Sequence, residues 1–148
     1  MPRPAAVGLL VSVAALAAGC GSTSGPHGPI TVATLAYLPP GGGPIKGTFR
    51  ATGAIVGSGT VLDTFKVLSS APGSSRAAVE RTLYSARGTI RFRFVLSEVQ
   101  GQATGRWRIE SGTGRYAGLS GSGAYAGHIE FRPKGAEKIR DTMTGSVH

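Results

Sequence analysis

The sequence predicts an all-β fold: an eight-stranded antiparallel barrel of the up-and-down type, preceded by a signal peptide and a flexible tether. Three observations predict it. The chain carries 24 glycines in 148 residues, and glycine costs a helix interior about 1 kcal/mol relative to alanine, so helical bundles and coiled coils are disfavoured. Apolar and polar residues alternate at a period of two in the clearest segments, as in half-buried strands. Eight such segments, separated by glycine punctuation, fit into about 120 residues, the spacing of a barrel or sandwich. A hydrophobic fraction of 41% at this length supports one domain. The single cysteine excludes an intrachain disulfide framework. With only three histidines besides it, no metal site and no cofactor is expected.

Residues 1–19 read as a signal peptide. Arg3 gives a short basic start, and Ala5–Ala18 is an apolar run broken only by Gly8 and Ser12. A spanning helix needs about 20 apolar residues, so the run suits a signal core instead. It ends in Leu16-Ala17-Ala18-Gly19-Cys20, which resembles the lipobox of bacterial lipoproteins. The resemblance implies that Cys20 is acylated and that the protein is held, outside the cytoplasm, on membrane lipid. The alternative is an ordinary secretory signal with an incidental cysteine. An unpaired thiol is a liability in an oxidising compartment, and lipidation removes it. One acyl chain binds a bilayer marginally, whereas two anchor it stably. Twelve arginines against four lysines, with abundant alanine and glycine, point to a GC-rich bacterial genome.

Loss of Arg3 leaves 15 basic and 7 acidic residues, a net charge of +8. Such a field attracts polyanions over a Debye length of about 8 Å. Outside the membrane those are lipid headgroups and anionic envelope polymers. No nucleic-acid signature is present.

Residues 20–29 form the lipidated cysteine and a Gly/Ser/Pro-rich tether, and 30–148 the barrel domain. Strands are placed at Ile30–Tyr37, Lys46–Ile55, Thr60–Leu68, Ala77–Ala86, Thr89–Val99, Gln102–Glu110, Gly121–Arg132 and Glu137–Val147. The run Pro39-Pro40-Gly41-Gly42-Gly43-Pro44 is a loop. Ala77–Ala86 also suits a short helix capped by Ser74 or Ser75. In Thr89–Val99, Ile90, Phe92, Phe94 and Leu96 alternate with Arg91, Arg93, Val95 and Ser97. A two-residue turn at Gln100-Gly101 sets Val99 opposite Gln102. Phe94 then faces Trp107 and Phe92 faces Ile109 on one side of the sheet. On the other side Arg91 faces Glu110, and Arg93 faces Arg108. A slip of one residue would destroy the apolar match.

Like charges directly opposite one another destabilise a strand pair. Arg93 against Arg108 therefore reads in two ways. In one, this is a solvated outer face where Glu98 and Glu110 dilute the repulsion. In the other, Arg91, Arg93, Arg106 and Arg108 form an anion-binding patch.

The segment Ser111-Gly112-Thr113-Gly114-Arg115-Tyr116-Ala117-Gly118-Leu119-Ser120-Gly121-Ser122-Gly123 is the most distinctive in the chain. A phosphate-binding loop needs a helix after it, and Gly123-Ala124-Tyr125-Ala126-Gly127 cannot supply one. The segment reads instead as a tight connection with glycines at positive φ or close backbone approach, pinned by Tyr116 and Leu119. This GTG-aromatic-x-G-x-x-G pattern, with Trp107-Arg108-Ile109-Glu110-Ser111 before it, resembles the allene oxide cyclase and dirigent barrel superfamily, in its bacterial allene-oxide-cyclase-like branch. The resemblance implies an eight-stranded barrel with an apolar interior, often trimeric or dimeric, and hence a homo-oligomer. In plant members it implies steering of hydrophobic or radical intermediates. The catalytic residues of those members lie outside the glycine motif and have no counterpart that can be matched here.

Alternation along Thr60–Leu68 puts Val61, Asp63, Phe65 and Val67 on one face. If that face lines the lumen, Asp63 is a carboxylate among apolar side chains. Its pKa would rise, making it the candidate general acid or ligand anchor; the alternative is a carboxylate paired with a nearby arginine. Candidate ligand contacts are Asp63, Phe65, Phe92, Phe94, Trp107 and Tyr125. Tyr125 and Tyr84 also read as plain core residues, and His128 as exposed beside Glu130. No Gly-x-Ser-x-Gly elbow is present.

Three functions are compatible with these residues. The first is a lipid-anchored barrel that binds a small hydrophobic ligand or an envelope component. The second is an isomerase or cyclase of the resembled type, shaping its substrate by confinement. The third is a structural envelope protein with a filled core and a basic adhesive surface. A continuous apolar pocket separates the first two from the third, and a convergent polar set around Asp63 separates enzyme from binder.

Overall fold

The computed structural model describes residues 24–148; the predicted signal peptide and Cys20 lie outside the described residues. Eight strands follow in order: β1 (Gly28–Leu38), β2 (Ile45–Gly53), β3 (Gly57–Ala71), β4 (Ser74–Ser85), β5 (Gly88–Val99), β6 (Gln102–Gly112), β7 (Gly121–Glu130) and β8 (Glu137–Val147). Each pairs antiparallel with the next, and β8 pairs back onto β1, closing the barrel. Closure leaves no exposed edge to recruit another strand along most of the wall. The segment after β3 that also suited a helix is strand β4. Its residues Ala77, Val79, Arg81 and Leu83 all turn inward and are buried, a period of two that no helix could present to one side. β1 begins at Gly28, where Gly28 and Pro29 already pair with Val147 and Ser146.

The β5–β6 hairpin has the predicted register from Val99↔Gln102 through Phe94↔Trp107 and Arg93↔Arg108 to Phe92↔Ile109. Gln100 and Gly101 both take positive φ, 50° and 84°, the turn whose twist suits two-residue hairpins. Beyond Phe92 a bulge intervenes, so Arg91 faces Ser111 and not Glu110. The extra residue releases Glu110 to meet Arg93 Nε at 3.0 Å, while Arg93 Nη2 donates to Glu80 at 2.8 Å. The repulsion with Arg108 is thus relieved by Glu80 of β4 and by Glu110. Glu98 does not share this outer face. It lies in phase with Phe94 and Leu96, turns inward and is buried. Its carboxylate accepts from the Gly101 backbone N–H and from Ser75 Oγ at 3.2 Å, capping the turn.

The two ends of the barrel differ. One is filled: Ile55, Tyr116 and Leu119 are buried there beneath the glycine-rich connection. A 3-10 turn, Gly114–Tyr116, follows Thr113, and Gly114 takes φ +59°. The described chain enters at this end, with Ser24–Pro26 beside Ile55, Arg87 and Tyr116. Above the plug, Phe92 meets Trp107 edge to face at 5.4 Å between ring centres. The Trp107 indole N–H is shared by the Ala124 and Thr144 carbonyls at 3.0 and 3.2 Å. Its ring lies over Gly123 and Gly145, where a Cβ would come within 2.6 and 2.5 Å of Cζ2.

The other end carries the loops 39–44, 72–73, 100–101 and 131–136. β2 accompanies β3 only as far as Ile45↔Asp63, whereas β4 continues beside it to Ala71↔Ser74. β3 therefore runs on past the end of β2, while β5 stays beside β4 as far as Ser74↔Val99. Phe65, Val67 and Leu68 on this stretch of β3 are exposed, as are Val99 and Phe131 on other strands and loops at this end.

Candidate functional site

A single arginine occupies the middle of the barrel. Arg81 is 1% exposed, and each nitrogen of its planar guanidinium is engaged. Nε and Nη2 donate to Asp63 Oδ1 and Oδ2 at 2.8 and 2.7 Å. Nη1 and Nη2 donate to Asp141 Oδ1 and Oδ2, both at 2.7 Å. Nη1 also reaches Thr34 Oγ1 at 3.3 Å and Met143 Sδ at 3.5 Å. Arginine has five N–H donors in a fixed fork; the two carboxylates take four of them and Thr34 the fifth. No buried side-chain nitrogen or oxygen among the described residues lacks a partner.

Three strands build the cluster, and their alternation does the placing. Asp63 follows Val61 inward on β3, Arg81 follows Val79 on β4, and Asp141 follows Ile139 on β8. Asp63 and Arg81 are direct register partners, whereas Asp141 reaches across the lumen. Phe94 and Tyr125 stack at 4.8 Å, and the Arg81 guanidinium lies 5.5 and 5.8 Å from their ring centres. The Tyr125 hydroxyl makes a long contact, 3.4 Å, to Asp141 Oδ2.

Two carboxylates share one guanidinium, so the cluster carries an excess negative charge when both are ionised. Burial pushes the Asp63 pKa up, and the opposing pull of Arg81 does not fully offset it. Burial also opposes the charge on Arg81, but Asp141 and Asp63 overcome it and hold the guanidinium charged. Burial drives the Tyr125 phenol upward, and the Asp141 charge adds to this.

Above the cluster lies a cavity of about 200 Å³ at the open end. Asp63, Phe94 and Tyr125 contribute to its lining together with Phe65, Ile129 and Phe131, and Glu98 and Glu137 also line it. A wider depression on the outer wall, between Leu35, Arg50, His128 and Arg140, is open to solvent.

Of the residues expected beside a ligand, Asp63, Phe65, Phe94 and Tyr125 converge on this cavity. Phe92 and Trp107 do not line it; they pack against each other in the filled half. Asp63 is the arginine-paired carboxylate and not a free acid, because both its oxygens accept from Arg81. Tyr84 is 44% exposed and not part of the core. His128 is exposed, with Nδ1 at 2.8 Å from Gln102 Nε2. Arg91, Arg106 and Arg108 are exposed on the outer wall of β5 and β6 and make no ion pair among the described residues. Arg93 beside them is committed to Glu80 and Glu110. Arg76, Arg93, Arg106 and Arg108 border one shallow groove. No cluster of three His, Cys, Asp or Glu residues among the described residues could hold a metal ion.

Arg81 and Asp141 are functional residues that composition and motif do not single out. Their signal is positional: each is a charged residue in the inward phase of a strand, between Val79 and Leu83 or between Ile139 and Met143.

Comparisons with protein-family profiles, with curated proteins and with solved structures returned no match.

Proposed function

We propose that this protein is an exported, lipid-anchored barrel that binds a small hydrophobic ligand at its open end. The observation that carries the reading is the cavity itself: walled by Phe65, Phe94, Ile129 and Phe131 and floored by Asp63 and Tyr125. It has the form of a small-molecule site, mostly apolar with a few fixed polar groups. The likeness of the glycine connection to the allene oxide cyclase and dirigent superfamily supports a ligand-holding barrel. The full engagement of Asp63 by Arg81 favours binding over acid catalysis. With the anchor at Cys20, the tether reaches the barrel at its plugged end, opposite the cavity. The arginines Arg91, Arg106 and Arg108 on the outer wall are the surface for anionic envelope polymers.

Native mass spectrometry of the protein purified from its own host tests this reading. The expected result is a retained small molecule that is absent from Ala77→Phe, in which a buried cavity-lining alanine is replaced by a ring that fills the space. Identical unliganded masses for both proteins, with no added small molecule binding to either, would overturn it. The same spectra read the anchor, since a mature chain lacking lipid mass on Cys20 would remove that part.

A further inference from the structure

We propose that the ligand of this cavity is an organic cation, a protonated amine on a compact ring body; the proposal rests on the binding reading above and specifies its chemistry. The chain is strongly basic, with 16 lysines and arginines against 7 acidic residues. Yet the residues lining the cavity include Asp63, Glu98 and Glu137 and no lysine, arginine or histidine. A fourth acid, Asp141, stands behind the floor beside Asp63 and Arg81. The cation buried beneath the cavity, Arg81, spends its donors on the two aspartates and Thr34. It has nothing left to offer a ligand carboxylate.

The remaining walls suit the same class. Phe65 and Phe131, both exposed, present aromatic surface there, and a cation over an aromatic face is attracted by the ring quadrupole. A concave, low-dielectric cleft lined by one sign of charge concentrates ions of the opposite sign. An apolar cavity of about 150 Å³ accommodates benzene, so about 200 Å³ takes one ring with a short amino chain. An anionic ligand would meet three carboxylates and no free donor. A neutral ligand would gain the apolar contacts alone.

Calorimetric titration of the mature protein at neutral pH and low salt, with three probes of one shape, tests the proposal: 2-phenylethylamine, 2-phenylethanol and phenylacetate. A unit charge among carboxylates in a site of effective dielectric near 20 gains enough to separate charged from neutral probe by about tenfold or more. The amine is expected to bind at least that much more tightly than the alcohol, with phenylacetate weakest. Glu98→Gln, which keeps an oxygen to cap Gly101, is expected to narrow the gap between amine and alcohol and leave the alcohol unchanged. Should that variant fail to fold, Glu137→Gln serves, since Glu137 makes no ion pair among the described residues. An alcohol or acid that binds as tightly as the amine, and is lost in Ala77→Phe, overturns the cation and leaves a binding barrel standing. If none of the three binds and no molecule is retained from the host, the binding reading falls and the cation with it.

Discussion

At the scale of single residues, Arg81 is both the structural keystone of the barrel and the reason Asp63 is not a free acid. Removing one partner of a buried ion pair leaves an uncompensated charge and costs about 3–5 kcal/mol. Arg81→Met, which strands Asp63 and Asp141 together, is expected to lose that much in urea unfolding. The triple variant Asp63→Leu/Arg81→Met/Asp141→Leu should recover most of it, because a well-packed apolar core of similar volume often equals a buried ion cluster. A deficit in the triple variant as large as in Arg81→Met would show that shape, not charge, holds this layer together. Protonation follows the same logic. The folded barrel raises the Asp63 pKa above its ordinary 3.8, so between those two values the folded state binds more protons than the unfolded chain. This contribution is therefore complete below about pH 4 and declines as pH rises through the raised value. Asp63→Asn removes the titration, so its destabilisation relative to the parent should be largest in acid and shrink with rising pH. A gap that widens with pH would contradict the assignment.

At the scale of elements, the sheet tolerates its own crowding only through residue choice. The clearest case is the β6–β7–β8 layer, where the Nε1–Cζ2 edge of Trp107 abuts Gly123 and Gly145. A Cβ at Gly145 would sit 2.2 Å from the Ser122 carbonyl and 2.5 Å from Trp107 Cζ2. The first of these atoms is backbone and cannot swing aside. Gly145→Ala is expected to destabilise by about 1–3 kcal/mol, as overpacking does, and to shift the Trp107 emission; an unchanged unfolding midpoint would show that β8 can move away from β7. The bulge between Arg91 and Phe92 shows the complementary device. One additional residue re-aims the outer face so that Glu110 meets Arg93 while the inner pairs Phe94↔Trp107 and Phe92↔Ile109 stay in register. Alternation alone could not have announced it, because the extra residue shifts the inward phase by one and the residues beyond it, Ser111 and Gly112, have no apolar side chain to show the shift.

At the scale of the whole molecule, charge is sorted between outside and inside. Arg91, Arg106 and Arg108 lie on the outer wall without ion pairs among the described residues, whereas acids gather within the open half of the barrel. If the outer arginines meet anionic polymers, Arg106→Ser/Arg108→Ser should reduce retention on phosphatidylglycerol vesicles and flatten its salt dependence. Arg93→Ser should change little, since that side chain already serves Glu80 and Glu110. Equal retention of the double variant and the parent would remove the patch.

The sequence by itself determined the strand content, the closure-compatible spacing, the turn at Gln100-Gly101 and the register from Val99 to Ile109. These rest on local rules: a period of two, glycine at special backbone angles, and apolar side chains that must share a face. It also grouped Asp63 with Phe65 on one face of a strand and set Phe94 and Tyr125 on apolar faces. Only the tertiary structure decided that Arg81 and Asp141 meet Asp63, because β3 and β4 adjoin but β8 approaches across the lumen, and no local pattern encodes a contact that spans the barrel. Closure likewise decided which inward aromatics are packed and which border space. Phe92 and Trp107 share the phase of Phe94 on their strands, but their height along the axis sets them in the plugged half. Alternation fixes the side of the sheet a residue faces; depth in the cylinder depends on where every strand begins, and that is a property of the closed sheet.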